Sequence, residues 1–245
     1  MLKCATPLFS KYNFMPILNS LSVLGAHFSA PAPAGNWYDD ASDAHHAVTL
    51  NGSVTQSDEG GGVVAATINP SSRMILADNT GFDFGDGDFT IEMFIKLSVE
   101  LTGTILEFDF NNRRISIDSN VLDYYGGGGF GSNYFNGFGN KSNFVNVWSH
   151  IAVVRNNGPT SLFANGIAVS SDSNDLNYTS AGRLSIGSRA DSFDNTLTAP
   201  ISVAGLRVNN TALYTSNFSV PTTLPTAVTG TQLLLNFGAT AVPSV

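Results

Sequence analysis

Short runs of alternating hydrophobic and polar residues cover much of the chain after residue 35. The clearest is Trp148–Val169, WSHIAVVRNNGPTSLFANGIAV, where residues such as Ile151 and Val153 alternate with their neighbours. A period of two is typical of strands with one buried face. The Asn-Gly-Pro sequence at 157–159 and the Asn-Gly sequence at 165–166 are typical of tight turns, whose residues adopt positive φ values. This segment therefore predicts three short antiparallel strands.

Further strands are predicted before this segment, at the close spacing of a β-sandwich. An opening strand is indicated by the alternation of Val48, Leu50 and Val54. The others are predicted at residues 62–68, 74–77, 89–97, 104–108 and 113–118. No amphipathic helix longer than about two turns is predicted. The pattern indicates an all-β protein.

The composition agrees with a single sandwich. Hydrophobic residues make up 42% of the 245-residue chain and include 17 Phe, which is enough for a sizeable core between two sheets. All-β units of this length commonly form one domain, so residues 35–245 are expected to be one unit. Only 12% of residues are charged, and the surface is expected to be largely neutral and polar.

The charge excludes one class of partner. The formal net charge is -8, and no run of Lys or Arg offsets it, so we expect no nucleic-acid binding. The single cysteine, Cys4, cannot form an internal disulfide, so the core has to stabilise the fold.

Residues 1–34 are expected to form an N-terminal arm. The apolar run Met15–Ala26 and the small residues after it have the outline of a secretory signal. Pro16 interrupts this run, which is shorter than the ~20 residues of a membrane span, so no membrane partner is expected. An exposed apolar arm promotes aggregation, and we expect it to bind a neighbouring subunit. Residues 31–35, PAPAG, are expected to be an extended spacer.

Several of these motifs resemble the concanavalin A-like, laminin-G-like jelly-roll domains. The residues that carry the resemblance are the strand and hairpin at 148–169, then Phe82–Lys96, Arg183–Gly187, Ile201–Val208, Ala212–Phe218, Pro221-Thr222 and Leu233–Phe237. The closing segment resembles the C-terminal arm of versions carried by tailed-phage virion proteins. The resemblance covers roughly Gly35 to Gly238 and implies a two-sheet antiparallel jelly-roll sandwich with an extended N-terminal arm.

The resemblance also implies a function. It indicates a non-enzymatic structural or decoration protein on the exterior of a tailed-phage particle, on capsid or tail, present as a homo-oligomer or in many copies. The arm would bind other virion proteins, and the sandwich would be displayed. The alternative is a module that binds host-surface glycan, and a carbohydrate hydrolase is a more distant third.

The hydrolase alternative depends on Glu107, Asp109 and Asn111. Laminarinase-type glycoside hydrolases on this fold carry Glu-x-Asp-x-Glu on one strand, with alternate residues facing the cleft. Here Asn111 stands at the third position, and an amide cannot supply the second carboxyl group of retaining hydrolysis. We therefore expect no catalytic residue.

No cofactor is expected, although calcium at Asp83, Asp86 and Asp88 is an alternative. These aspartates flank two glycines, and carboxylate oxygens are the ligands that calcium prefers. They equally suit a turn in which the side chains bind their own backbone. The histidine pair His45-His46 suggests a transition-metal site, because imidazole is a common ligand of such metals. The resemblance, however, places this pair in a polar loop. His150 is expected to be hydrogen-bonded at the sheet surface.

An aromatic, glycine-rich segment is the best candidate for binding. Its aromatic residues are Tyr124, Tyr125, Phe130, Tyr134, Phe135 and Phe138, around the glycines at 126–129. Aromatic faces next to amides suit sugar recognition, and they suit a subunit contact equally well. The apolar arm and the low surface charge favour the subunit contact.

Overall fold

The computed structural model describes residues 36–38, 40–108, 113–126, 137–173, 177 and 182–245. The predicted N-terminal arm, residues 1–34, lies outside them. The strands are β1 (Val48–Asn51), β2 (Val54–Gly60), β3 (Val63–Ile68), β4 (Arg73–Asn79), β5 (Phe89–Leu97), β6 (Gly103–Phe108), β7 (Arg113–Asp118), β8 (Val121–Tyr125), β9 (Gly139–Asn140), β10 (Ser149–Arg155), β11 (Thr160–Ala164), β12 (Ile167–Asp172), β13 (Gly182–Ile186), β14 (Ile201–Asn209) and β15 (Thr231–Leu235). In the described part of the chain the helices are two short 3₁₀ turns, Thr80–Phe82 and Lys141–Phe144.

The strands form two antiparallel sheets. The seven-stranded sheet has the order β1-β4-β13-β6-β7-β8-β9, and the eight-stranded sheet has the order β12-β11-β10-β5-β14-β3-β2 with β15 paired to β14. The predicted all-β, two-sheet antiparallel sandwich is therefore confirmed. No helix among the described residues has the length and apolarity needed to cross a membrane.

Strand alternation explains where the core lies. On β5, Phe89, Ile91 and Met93 are buried in the core cluster, whereas Thr90 and Glu92 face the outer side of the eight-stranded sheet. Each large apolar side chain buried in this way contributes about 1.5–3 kcal/mol to folding. The core cluster draws residues from both sheets, so the two layers stabilise each other.

The predicted hairpin is confirmed. Strands β10 and β11 pair from Ile151–Ala164 to Arg155–Thr160, and β11 continues into β12. Asn157 and Gly158 have φ values of 51° and 108°, as the turn chemistry requires. Strands β5 and β7 also have the predicted bounds.

Two sequence predictions need correction. Val48 and Leu50 belong to β1 of the seven-stranded sheet, but Val54 belongs to β2 of the other sheet, because Gly52 (φ 76°) turns the chain between them. Tyr124 and Tyr125 were assigned to the aromatic, glycine-rich segment, but they end strand β8. The strand has only five residues, and the glycines that follow it indicated a loop.

A β-bulge in β14 changes which residue faces outward. Ala204 pairs with Phe94, but Arg207 rather than Leu206 pairs with Glu92, because the register shifts between them. Gly205, at φ 55°, sits in this shift. Leu206 therefore enters the core, and Arg207 lies on the outer face beside Glu92.

The segment after β14 covers part of this outer face. Tyr214 and Phe218 stack with ring centroids 3.6 Å apart and pack with the buried residues of β10 and β11. The Phe218 N–H donates to the Gly166 carbonyl at 2.9 Å, and the Leu213 N–H donates to Thr90 Oγ1 at 2.9 Å. These contacts bind the segment to the sheet at two points.

Candidate functional site

Polar side chains form a row across the outer face of the seven-stranded sheet. The strand registers pair Ser185 with Glu107, Glu107 with Arg114, and Arg114 with Tyr125. The residues between them point into the core, as Phe108 does after Glu107. A second row runs alongside, in which Thr104 pairs with Ser116 and Ser116 with Asp123. We call these seven residues the polar face.

Glu107 is the most unusual member of the polar face. Its side chain is fully buried, and neither carboxylate oxygen has a hydrogen bond of ordinary geometry. Arg189 Nε lies 3.8 Å from Oε1. Burial raises the pKa of Glu107 to about 7, although the charges of Arg189 and Arg114 act in the opposite direction. Buried groups without partners and with shifted pKa values cluster at functional sites.

Asp123 is a second buried carboxyl group on this face. Ser116 Oγ donates a hydrogen bond to Asp123 Oδ1 at 2.8 Å. Burial raises the pKa of Asp123 to about 6, more than this hydrogen bond lowers it, and the nearby charge of Asp118 adds to the rise. The polar face therefore holds two carboxyl groups that keep their protons at a higher pH than usual.

Arg114 provides the cation within the row. Its guanidinium lies over the Tyr125 ring, 5.0 Å from the centroid. The Arg114 Nε is buried and has no hydrogen-bond partner. Arg114 thus lies between Glu107 and Tyr125 in the row, with its guanidinium over the Tyr125 ring and no ion pair to Glu107 in the described structure.

A loop between β13 and β14 borders the polar face. Arg189 bonds to Asp191 at 2.5 Å, and the Asn195 carbonyl accepts a hydrogen bond from the Thr104 N–H at 2.9 Å. Phe193 has a φ of 57° and contacts two guanidinium groups. Those of Arg73 and Arg183 lie 4.5 and 4.8 Å from its ring centroid. The loop therefore carries both charge and an aromatic ring to the edge of the polar face.

Glu92, on the outer face of the other sheet, is a useful contrast. It is fully buried, and it accepts hydrogen bonds from Arg207 Nε at 2.6 Å and from the Tyr214 hydroxyl at 2.7 Å. His150 Nε2 lies 3.1 Å from its second oxygen. Burial alone would raise the pKa of Glu92, but the His150 hydrogen bond and the Arg207 charge outweigh it and lower the pKa. Both oxygens of Glu92 are therefore hydrogen-bonded, although His150 Nδ1 is buried without a partner, and the network joins the closing segment to the sheet.

The network corrects the prediction for His150. The side chain does lie on a sheet face and is hydrogen-bonded, but only 1% of the residue is exposed. Phe218 of the closing segment contacts the imidazole, with ring centroids 5.8 Å apart. His150 is therefore a buried structural residue rather than a surface one.

The predicted aromatic contact residues are divided by the structure. Tyr124 and Phe138 are buried in the core cluster, where 1% and 4% of each residue is exposed. Tyr125 is on the polar face, and the other three predicted residues, Phe130, Tyr134 and Phe135, lie outside the described residues. A glycan or subunit contact by this segment stays a prediction.

The candidate metal ligands have other contacts. Asp88 Oδ1 accepts the Asn157 N–H at 2.7 Å and so supports the hairpin turn. Among the described residues, no group of three His, Cys, Asp or Glu side chains is placed to hold a metal. The absence of a cofactor and the calcium alternative at Asp83, Asp86 and Asp88 both stay predictions.

The histidine pair lies in the opening loop, which is hydrogen-bonded to β15. Asp40, which is buried, accepts hydrogen bonds from the N–H groups of Ser42 and His46 at 2.8 and 2.9 Å. It also accepts the Leu234 N–H at 2.9 Å, and His46 Nε2 lies 2.9 Å from the Gln232 carbonyl. These contacts attach the opening loop to β15.

Sequence reasoning singled out Glu107 but missed Arg114, Ser116 and Asp123. Asp109 and Asn111, the other positions of the glycosidase-like motif, lie outside the described residues. The available signal was the alternation of RRISID and VLDYY, which places these three residues on one side of β7 and β8. Only the register between strands shows that this side is also that of Glu107.

Solved structures confirm the fold. The chain is similar to the binding domain of botulinum neurotoxin DC in complex with SialylT, with 15% identity, a TM-score of 0.55, and coverage of 70% of this chain and 45% of that chain. A second similar structure is described as "Cell entry of botulinum neurotoxin type C is dependent upon interaction with two ganglioside molecules", with 15% identity, a TM-score of 0.55, and coverage of 70% and 44%. The binding domain of botulinum neurotoxin serotype C1 has 16% identity, a TM-score of 0.55, and coverage of 70% and 46%. This chain thus spans less than half the length of each of these proteins.

Family comparison agrees with the fold. No curated protein matches the chain in sequence. The family described as the Concanavalin A-like lectin/glucanases superfamily matches residues 69–217, which is more than half of the chain and includes β5 to β14. The chain belongs to the concanavalin A-like lectin/glucanase superfamily.

Proposed function

We propose that this chain is a non-catalytic, lectin-type module that binds a saccharide on the polar face of the seven-stranded sheet. The observation that carries the proposal is Glu107, a buried carboxyl group whose two oxygens have no hydrogen bond of ordinary geometry. Its contacts are Arg189 Nε, 3.8 Å from Oε1, and the backbone at Ala190. More than about 90% of buried polar groups in proteins are hydrogen-bonded. A buried acceptor without a partner, next to the similarly unpartnered Nε of Arg114, marks a place where ligand groups can complete the hydrogen bonding.

The polar face has the chemistry that sugars need. Saccharide hydroxyl groups both donate and accept hydrogen bonds, and the face offers carboxyl groups, hydroxyl groups and a guanidinium. Tyr125 adds an aromatic ring beside Arg114. The strands hold these groups in two adjacent rows. Six of the seven residues are at most 6% exposed, so a saccharide reaches them only when the residues that cover the face move aside.

The comparisons support binding rather than catalysis. Two of the similar solved structures are described as binding domains, one of them in complex with SialylT. The superfamily also includes glucanases, so the fold alone does not decide the activity. Asn111 in place of the third carboxylate of the hydrolase motif favours the non-catalytic alternative.

A glycan array tests this proposal. The full chain is applied together with the variants Glu107→Ala and Asp123→Ala and the control Glu100→Ala, whose side chain is 56% exposed and does not belong to the polar face. We expect saccharide binding by the parent and the control, and loss of binding by the two polar-face variants while thermal unfolding shows that they are folded. An array without any bound saccharide would contradict the proposal.

A second candidate function is display on the exterior of a tailed-phage particle. The observation that favours it is the closing segment at 212–222, which resembles the C-terminal arm of such virion proteins and packs on the sheet through Tyr214 and Phe218. In this function residues 1–34 bind other virion proteins, several copies are present, and the sandwich presents its polar face to host-surface glycan.

Deleting residues 1–30 tests the virion function. The described strands begin at Val48, so the truncated chain is expected to fold and to unfold at the same temperature as the parent. It is expected not to incorporate into particles, as measured by its occupancy in purified virions. Full occupancy of the truncated chain would contradict attachment through the arm.

A further inference from the structure

We propose that the saccharide bound on the polar face is acidic, and that Arg114 contacts its carboxylate group. This inference rests on the proposed saccharide-binding function and names the class of sugar. It combines the distribution of cations over the chain with the contacts of Arg114.

Four of the cations of the sandwich lie on the side of the polar face. Residues 36–245 contain nine of the 11 Lys and Arg residues, because Lys3 and Lys11 lie in the arm. Four of the nine, Arg73, Arg114, Arg183 and Arg189, lie on the outer side of the seven-stranded sheet or in the loop beside it. Glu107, Asp118 and Asp123 of the sheet and Asp191 and Asp194 of the loop lie on the same side, so the attraction for an anionic ligand comes from individual guanidinium groups rather than from the net charge.

Three cations elsewhere have a carboxylate partner. Lys96 pairs with Glu59, Lys141 with Glu100, and Arg207 with Glu92. On the polar side, Arg189 pairs with Asp191. These pairs show that the acidic chain readily supplies partners for its cations.

Arg114 and Arg73 differ from this pattern. Within the described residues neither has an ion pair, the Nε of each lacks a hydrogen-bond partner, and each instead contacts an aromatic ring. The guanidinium group is a planar fork that binds a carboxylate through two parallel hydrogen bonds. Stacking on a ring holds this fork in place without using its donors.

Arg114 is better placed than Arg73 for this contact. It lies between Glu107 and Tyr125 in the row, so a sugar bound there would meet the carboxyl group, the guanidinium and the ring together. Arg73 is on β4, three strands from β7, or about 14 Å away at ordinary strand spacing. One carboxylate cannot reach both, and we assign it to Arg114.

The two buried carboxyl groups of the polar face set a pH dependence. Glu107 faces Arg114 on β7 and Arg189 and Asp191 of the loop, and Asp123 faces Ser116, Asp118 and Arg114. Burial raises their pKa values to about 7 and about 6, so both groups carry protons at pH 5.5. Protonated carboxyl groups donate hydrogen bonds to the ligand, whereas ionised ones repel an anion. Affinity for an acidic sugar therefore falls as the pH rises to 8.

Matched pairs of saccharides test the inference by isothermal titration calorimetry with the full chain. The first pair is a galacturonic acid oligomer and its methyl ester, and the second is 3′-sialyllactose and lactose. We expect the acidic member of at least one pair to bind at least about tenfold more tightly than its neutral partner, and more tightly at pH 5.5 than at pH 8. The pair whose acidic member binds more tightly shows whether the carboxylate belongs to a uronic acid or to a sialic acid.

Variants assign the contact to Arg114. Arg114→Gln is expected to remove the preference for the acidic sugar, and Arg114→Lys to restore part of it through charge alone. Lys96→Gln, on the other sheet, is the control and is expected to keep the preference. Thermal unfolding shows whether each variant is folded. The pH dependence of the parent's affinity for the acidic sugar tests the inference without any variant.

The outcomes separate this inference from the proposed function. Equal affinity for acidic and neutral members, or an affinity that rises with pH, would overturn the acidic sugar while leaving saccharide binding intact. An unchanged preference in a folded Arg114→Gln variant would overturn the assignment to Arg114. Binding to no saccharide, here and on the glycan array, would instead contradict the proposed function.

Discussion

Glu107 and Arg114 lie directly opposite each other on β6 and β7, yet they form no ion pair in the described structure. The two carboxylate oxygens of Glu107 and the Nε of Arg114 are buried without a hydrogen-bond partner of ordinary geometry. The Arg114 guanidinium lies over the Tyr125 ring instead. In the other sheet Arg207 lies opposite Glu92 and does bond to it. The same two residue types in neighbouring strands thus give a satisfied structural pair in one sheet and an unsatisfied pair in the other.

The first prediction concerns Glu107→Gln and pH. The folded chain holds the Glu107 proton up to a pKa of about 7, whereas the unfolded chain releases it near 4.5. Stability is therefore lost as the pH rises from 4.5 through 7, by about 3 kcal/mol. Glu107→Gln removes the ionisable group, and we expect it to be more stable than the parent at pH 8 and similar at pH 4.5.

Denaturant unfolding at several pH values measures this difference. Glu100→Gln is the control, because its exposed carboxyl group lies in a surface pair that contributes little. A Glu107→Gln variant that is less stable than the parent at pH 8 would show that the ionised carboxylate is well stabilised in the fold.

The second prediction concerns Tyr214→Phe. This change removes the hydroxyl that donates to Glu92 and leaves a buried carboxylate with one fewer hydrogen bond. We expect a loss of about 1–3 kcal/mol in the free energy of unfolding at pH 7. Because the pKa of Glu92 is lowered in the folded state, the stability it contributes is present above its unfolded pKa and is lost as the pH falls through the folded one.

Urea unfolding of Tyr214→Phe checks this value. Tyr38→Phe is a suitable control, since Tyr38 is half-buried and packs against the core without a hydroxyl hydrogen bond among the described residues. Equal stability of the two variants would mean that the Tyr214 hydroxyl adds nothing to the network.

The third prediction concerns Gly166→Ala. Gly166 has a φ of 77°, and an added Cβ would lie 2.0 Å from the Phe218 carbonyl oxygen. The variant therefore suffers both backbone strain and displacement of the closing segment. Gly60, at φ 84°, has nothing within 4 Å of an added Cβ, so Gly60→Ala measures the strain alone.

Thermal unfolding separates the two contributions. Gly60→Ala is expected to cost about 1 kcal/mol and Gly166→Ala at least about twice that. Faster proteolysis within residues 210–225 is also expected for Gly166→Ala only. Similar losses in both variants would mean that the closing segment tolerates the added methyl group.

Sequence reasoning predicted the fold better than the site. The hairpin at 148–169 and strands β5 and β7 follow from local alternation and turn residues, which the sequence displays directly. The Gly205 bulge and the division of Val48 and Val54 between two sheets depend on pairing with distant strands. The polar face was missed for the same reason, because its residues come from strands whose register no local pattern specifies.

The fourth prediction concerns hydrolysis. The parent chain is expected to release no reducing sugar from β-glucans, because Asn111 cannot act as the second carboxyl group. Glu107→Gln is then expected to change nothing in this assay. Turnover by the parent that disappears in Glu107→Gln would make Glu107 a catalytic residue and would contradict the non-catalytic proposal.

The most direct test of saccharide binding on the polar face is amide chemical-shift mapping during titration with a saccharide that the array identifies. We predict that the largest shifts fall on β6, β7 and β8, at Glu107, Arg114 and Asp123. Strand β12, where Ile167 is exposed at the edge of the other sheet, is expected to show little change. Shifts confined to β12 and the closing segment at 210–225, with none on β6 to β8, would contradict this prediction.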